Sequence, residues 1–295
     1  MRTEPALGPT VAPSRPRAWP RIRRLGYILL LIVLAIPLVF PMWWMVASSL
    51  KSPTEIFAFP PDLFPWSLRF ENYPAVFDLI PFGTQYLNSI YIGVVNTIGT
   101  IVVASLGGYA FARIRFPGAT LLFVLLLTAL LMPDEVIIIP LFVLMKDLGW
   151  LNTHLPLLIE PVFGAQAVVG TFLMRQYFLA LPVELEDAGR IDGLGRFGIF
   201  RHIAMPLALP AVATLAILTF LSSWNEFLKP LIFLGGRTEL LTVPLALNTI
   251  HDRYGDPYWE MQLAATTMSV IPMIVVFVIA QRHFIHGFTS VGVKG

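Results

Sequence analysis

Four carboxylates crowd one short stretch of the chain: Glu184, Glu186, Asp187 and Asp192. Residues of this type at this spacing offer ionic contacts to a basic partner. A second set of polar groups lies inside or beside long apolar runs: Asp134 and Glu135, Glu160, and Asn225 with Glu226. Acids in such surroundings face a bundle interior or a wet cavity by default, because hydrocarbon does not solvate them. Other chemistry is poorly served. There are no cysteines, so disulfides, thiolate metal sites and thiol catalysis are excluded. His154, His202, His251, His283 and His286 show no metal-ligand spacing, and His283 and His286 suit the negative end of a helix dipole. Gly107-Gly108 and Gly235-Gly236 are not phosphate loops, and the P-loop pattern is absent, so no nucleotide site of that kind is expected. No nucleophile–base set stands out, and the chain reads as a non-enzyme.

The elements that must hold these groups are membrane helices. The 295 residues are 56% hydrophobic and only 13% charged, with a mean hydropathy of +0.74. A soluble domain carries about 25% charged residues. Six segments are long and apolar enough to cross a bilayer: 25–50, 86–111, 120–145, 155–178, 205–234 and 263–285. Prolines inside them (Pro37, Pro41, Pro133, Pro140, Pro206, Pro210 and Pro272) are expected to be tolerated, since neighbouring helices can satisfy the freed backbone groups. If the loops alternate sides, fourteen of the twenty Lys and Arg residues fall on one side, which is then the cytoplasmic one. Both termini and the acidic stretch lie there. Residues 1–24, rich in Pro and Arg, read as a disordered cytoplasmic tail. A cleaved signal peptide is disfavoured, because the apolar run that follows is about twice the usual 7–15 residues. The remainder, 25–295, reads as one six-helix domain. Its outer loops carry Trp66, Phe70, Tyr73, Phe77, Phe82, Tyr254, Tyr258 and Trp259, suited to headgroup depth.

The acidic stretch belongs to a cytoplasmic loop spanning 181–206. Pro182 suits a first helical turn, and Glu184, Glu186 and Asp187 complement the positive end of the dipole. Leu185, Ala188 and Ile191 share a face, and Asp192-Gly193 supplies the stop. A second short helix is expected from about Gly195, with Phe197, Phe200 and Ile203 at spacing three, leading through Pro206 and Pro210 into the fifth span. An amphipathic connector lying on the bilayer would be the simplest account. Four acids beside anionic cytoplasmic lipid argue against it and for a basic protein partner.

The spacing resembles the EAA loop of ATP-binding-cassette importer permeases. That pattern reads Glu-Ala-Ala, three residues, Gly, nine residues, Ile, one residue, Leu-Pro. Here Asp187-Ala188-Gly189 is followed by Gly193, Ile203 and Met205-Pro206, with Asp187, Gly189 and Met205 as departures. Trp224-Asn225-Glu226-Phe227, Ser49-Leu50-Lys51, Pro140-Leu141-Phe142 and the segment from Gln281 through Gly287 to Gly295 are similar to patterns of the carbohydrate-uptake (maltose-type) subfamily, in its second permease subunit. The resemblance implies an all-α integral membrane protein with the type I importer (MetI-like) permease fold. It further implies a second, dissimilar permease, two ATPase subunits that hold the ATP and Mg, an extracytoplasmic solute-binding protein and a sugar or polyol cargo. No cofactor of this chain's own and no nucleic acid enter. Coupling to the ATPase is then carried by Glu186, Asp187, Ala188, Gly189, Asp192, Gly193, Phe197, Ile203 and Pro206.

For a sugar, carboxylates and amides are apt hydroxyl partners and aromatic rings are apt stacking faces. Glu135, Asn225, Glu226 and Trp224 are the candidates for the substrate pathway, while Glu160 reads as an interfacial acid near a span end. Two other classes remain. A permease for glycerol phosphate or an amino acid would, in the phosphate case, need Arg or Lys in the cavity, and the spans offer little of either. An ion-coupled secondary transporter would show repeats and broken helices around an ion site.

Overall fold

The computed structural model of the protein describes residues 21–289. The tail read at 1–24 falls almost wholly outside the described residues, as do the last six residues and the side chains of His283 and His286. The chain divides after Met45 into two units. The first, from Arg21, is the beginning of α1 (Arg21–Ser49), apolar all round apart from its first four residues. The second holds everything else.

In that second unit the elements are α2 (Pro53–Ile56), α3 (Asn72–Leu79), α4 (Phe82–Arg113), α5 (Ala119–Thr128), α6 (Asp134–Asp147), α7 (Leu155–Phe163), α8 (Ala165–Ala180), α9 (Val183–Ile191), α10 (Arg196–Ile199), α11 (Met205–Leu207), α12 (Leu209–Trp224), α13 (Leu228–Phe233), α14 (Val243–Leu247) and α15 (Trp259–Thr289). A π-helical turn, Phe200–Ala204, joins α10 to α11. The described residues hold no strand, and one isolated bridge pairs His251 with Pro257.

The axis of this unit is α4, which packs against α8 and α12. Its buried face reads Gln85, Asn88, Ser89, Ile92, Asn96, Thr100, Ala104 and Gly108, almost all in steps of three or four. Its exposed face reads Leu87, Val94, Val95, Ile98 and Val102. The pattern is inverted relative to a soluble helix, as expected where lipid is as apolar as leucine and close packing relies on small and hydrogen-bonding side chains. Gly108 sits where a Cβ would lie 2.7 Å from Met174 Cβ and 2.8 Å from the backbone nitrogen of Arg175, so α4 and α8 touch almost backbone to backbone.

Each segment expected to cross the membrane is helical, but three of them are interrupted. Among the described residues, four helices are long and apolar enough to span, or six if each bent pair is one span. The expected third span breaks at Pro133, where α5 and α6 meet at 101°. Proline here ends the helix and does not merely kink it, because it lacks an N–H and forces its predecessor out of the helical region. The fourth is interrupted at Gly164, whose extended backbone separates α7 from α8. The fifth bends by 76° at Ala208 between Pro206 and Pro210, and stops again at Asn225 before α13.

Candidate functional site

The acidic loop forms the helix–turn–helix expected of it. Pro182 stands immediately before α9, Glu184 and Glu186 occupy its first turn, and Gly195 precedes α10. The stop is a Schellman closure. Gly193 adopts φ +84°, its N–H donates to Arg190 O at 3.1 Å, and Leu194 N–H donates to Gly189 O at 2.9 Å.

The faces of α9 differ from the expected arrangement. Leu185, Ala188 and Ile191 do share a side, but that side is open, with Ile191 87% exposed. The buried residues are Glu186 and Gly189. Glu186 was expected to offer its charge to a partner, yet it turns inward onto Arg113 of α4 at 3.0 Å. Gly189 faces Ile203, whose Cδ1 would lie 2.5 Å from an added Cβ, so the smaller residue lets the second arm of the loop close down. Phe200 packs its ring 5.2 Å from that of Tyr109, fixing the π-turn to α4. Of the expected coupling residues, Asp187, Ala188, Asp192, Gly193, Phe197 and Pro206 remain outward, and Glu184 and the exposed bases Arg190, Arg196, Arg201 and His202 lie in the same loop. Asp187 pairs with Arg190 at 2.6 Å, both about half exposed, a contact worth little in water.

A second polar locus forms where the interrupted fourth and fifth spans lie side by side. Lys229 of α13 contacts Glu160 of α7 at 2.7 Å, with 11% and 16% of the side chains exposed. Glu160, read from the sequence as an acid near a span end, is thus one half of a largely buried ion pair. Glu226 caps α13, accepting from the N–H groups of Leu228 and Lys229 at 3.1 and 3.2 Å. Asn96 of α4, fully buried, donates to Leu157 O at 3.0 Å and to Ser223 Oγ at 2.9 Å, and Gln166 donates to Ser222 Oγ at 2.6 Å. Asn96, Gln166, Ser223, Glu226, Lys229 and Thr242 line a tight cleft in which three oxygens, Asn96 Oδ1, Gln166 Oε1 and Thr242 Oγ1, have no partner. The cleft has a volume of about 10 Å³, the space of about one water. Beside it, Gln166, Thr219 and Ser222 edge an open groove of about 270 Å³ between α8 and α12, otherwise lined by apolar side chains.

The expected pathway residues are only partly united here. Glu226 lines the cleft, and Asn225, exposed beside it, donates to Leu221 O at 2.8 Å. Glu135 is exposed in the first turn of α6 and does not line the cleft. Trp224 is not available for stacking on a substrate. It is 2% exposed, stacks on Phe220 with centroids 5.7 Å apart, and meets Tyr86 edge-on. Sequence reasoning missed Asn96, Gln166, Ser223 and Lys229. The run of polar and small residues along one face of α4 was the available signal for Asn96. Among the described residues, no cluster of His, Asp and Glu could hold a metal.

Residues 104–290, which include α9 to α13, match the family described as binding-protein-dependent transport system inner membrane component. The arabinooligosaccharides transport system permease protein AraQ of Halalkalibacterium halodurans is 37% identical, the match covering 87% of this chain and 91% of that one. The diacetylchitobiose uptake system permease protein DasC of Streptomyces coelicolor is 31% identical over 95% and 98%. The sn-glycerol-3-phosphate transport system permease protein UgpE of Yersinia pestis is 30% identical over 89% and 94%. A crystal structure of a bacterial ABC transporter involved in the import of the acidic polysaccharide alginate contains a chain that superposes with a TM-score of 0.77. The alignment covers 92% of this chain and 100% of that one at 24% identity, a likeness of fold. The chain belongs to the family of inner-membrane components of binding-protein-dependent transport systems.

Proposed function

We propose that the chain is one of two dissimilar permease subunits of an ATP-driven importer for a neutral oligosaccharide or related sugar. In this reading it crosses the membrane six times with both termini in the cytoplasm, and residues 181–206 dock on one of two ATPase subunits. Asp187, Ala188, Asp192, Gly193, Phe197 and Pro206 provide the contact surface, while Gly189 and Ile203 shape it from behind. A solute-binding protein delivers cargo to the outer face, and the pathway runs between the two permeases past Gln166, Ser222, Asn225 and Glu226.

The observation that carries the docking role is the division of labour on α9. Its inward face is fixed to α4, yet its outward face presents the unpacked apolar side chains of Val183, Leu185 and Ile191 among the charged Glu184, Asp187 and Arg190, a combination that neither lipid nor water suits. The sugar assignment draws on relatives named for arabinooligosaccharides and diacetylchitobiose. The relative named for glycerol phosphate keeps an anionic cargo in view. Against it, Lys229, the cation at the polar cleft, is already neutralised by Glu160.

The test is reconstitution with the second permease, the ATPase and the binding protein. ATP hydrolysis should rise when the binding protein carries sugar, and labelled oligosaccharide should accumulate in the vesicles. An Asp192→Ala, Gly193→Pro double variant should insert and fold yet transport nothing. Normal uptake by that variant would sink the docking role, and preferential uptake of a phosphorylated solute would sink the neutral-sugar assignment.

A further inference from the structure

Glu186 is bound to the body of the protein unusually well for a residue in a surface loop. Its Oε1 lies 3.0 Å from Arg113 Nε, with 5% and 10% of the two side chains exposed. The contact is ionic and not a hydrogen bond, since neither atom has a partner at hydrogen-bonding angles. Its other oxygen accepts from Tyr109 Oη at 3.5 Å and lies 3.9 Å from Arg190 Nη2. Arg113 also reaches the chain just ahead of α9, donating through Nη2 to Leu181 O at 2.5 Å. One residue at the end of α4 therefore holds the loop at two points, one of them charged. A secluded charge pair does not slide, because displacement of either partner leaves an unpaired charge away from water.

The other end of this contact is α4 itself. At 32 residues it is about 48 Å long, more than the thickness of a hydrocarbon core. We infer that the Glu186–Arg113 pair is a rigid link that makes α9 and α4 move as one body, so that a displacement of the loop arrives at the far end of α4. The inference rests on the docking role proposed above and adds what happens after docking. Glu186 is then a positioning residue. It does not touch the ATPase, and the exposed Asp187 beside it does.

A staple that merely holds the loop in place would be needed for docking. A link is needed for transmission, and the two separate in experiment. The chain has no cysteine, so labels can be placed without first removing any from this subunit. Spin labels at Glu184→Cys on α9 and Leu87→Cys toward the far end of α4 would be measured in the complete complex in liposomes, nucleotide-free and ATP-trapped. The distance between them is expected to stay constant through the cycle. In Glu186→Gln the ATPase should still co-purify, the distance distribution should broaden on trapping, and uptake per ATP hydrolysed should fall by about tenfold. The charge-swapped pair Glu186→Arg with Arg113→Glu should recover much of that loss. A distance that changes between states in the unmutated complex overturns the link, as does full coupling in Glu186→Gln. Loss of the ATPase from Glu186→Gln makes Glu186 a docking residue and overturns it too. If the unmutated chain retains no ATPase, the docking role itself falls, and this inference with it.

Discussion

Gly108 and Gly189 are both buried helical glycines, but a methyl group added to each would meet different things. At Gly189 the obstacle is the tip of the Ile203 side chain, which can rotate. At Gly108 it includes the backbone of Arg175, which cannot move without parting α4 from α8. Gly189→Ala should therefore be close to neutral, the clash offset by about 1 kcal/mol of gained helix propensity. Gly108→Ala should cost about 1–3 kcal/mol, as overpacking does. Thermal melting of the purified chain in detergent should separate the two, with Tm lowered only for Gly108→Ala. A third glycine, Gly193, is held at φ +84°, so Gly193→Ala should destabilise the loop by about 1–2 kcal/mol and Gly193→Asn by less. Protease sensitivity at the α9–α10 junction would report the order. Of these, Gly193 was legible in the sequence, because a glycine closing an amphipathic turn has a local signature. The inward turn of Glu186 was not, because its partner Arg113 lies far away along the chain and only the packed structure brings them together.

At the scale of elements, the interrupted helices organise the polar chemistry. The α7–α8 break at Gly164 and the α12–α13 break at Asn225 lie in adjacent spans, and the Glu160–Lys229 pair joins α7 to α13 across them. Removing one partner should cost about 3–5 kcal/mol by stranding the other charge, whereas Glu160→Gln with Lys229→Met should recover most of the loss. Melting curves of the singles and the double would show whether the pair acts as a unit. A smaller device sits at α2, where Ser52 and Glu55 cap each other. The Ser52 backbone N–H, and then the Ser67 hydroxyl, hold the Glu55 carboxyl below its ordinary 4.5. A lowered folded value means the cap's contribution is complete above 4.5 and is lost as the pH falls below it through the folded value. Protection of the Ser52 amide from hydrogen exchange should fade in that acid range, and Glu55→Gln should abolish the pH dependence. The prolines at 133, 206 and 210 were visible in the sequence, but only as features a membrane helix tolerates. Whether a proline kinks or ends a helix depends on whether neighbours replace the lost hydrogen bond, and that is a tertiary matter.

At the scale of the molecule, composition was enough for the membrane class, since few charged residues are available to cover a water-exposed surface. The pathway proposed above is another matter, because the groove assigned to it is not enclosed by the described residues. The polar cleft holds about one water, and the larger groove beside it is open along its length and carries Gln166, Thr219 and Ser222 among apolar neighbours. Polar side chains on the rim of a membrane helix need either water or a second polypeptide opposite them. If the missing wall is the second permease and the groove opens outward when ATP closes the ATPase pair, Ser222 and Gln166 should meet external water only in that state. With no native cysteine to interfere in this subunit, Ser222→Cys and Gln166→Cys can be probed from outside with a membrane-impermeant maleimide. Both should react quickly in the ATP-trapped complex and slowly without nucleotide. Leu121→Cys, 64% exposed on the apolar α5, should react in neither state because lipid surrounds it. Equal reactivity at Ser222 and Leu121 would mean that the groove faces lipid, and the pathway would then have to be sought on another face of α12.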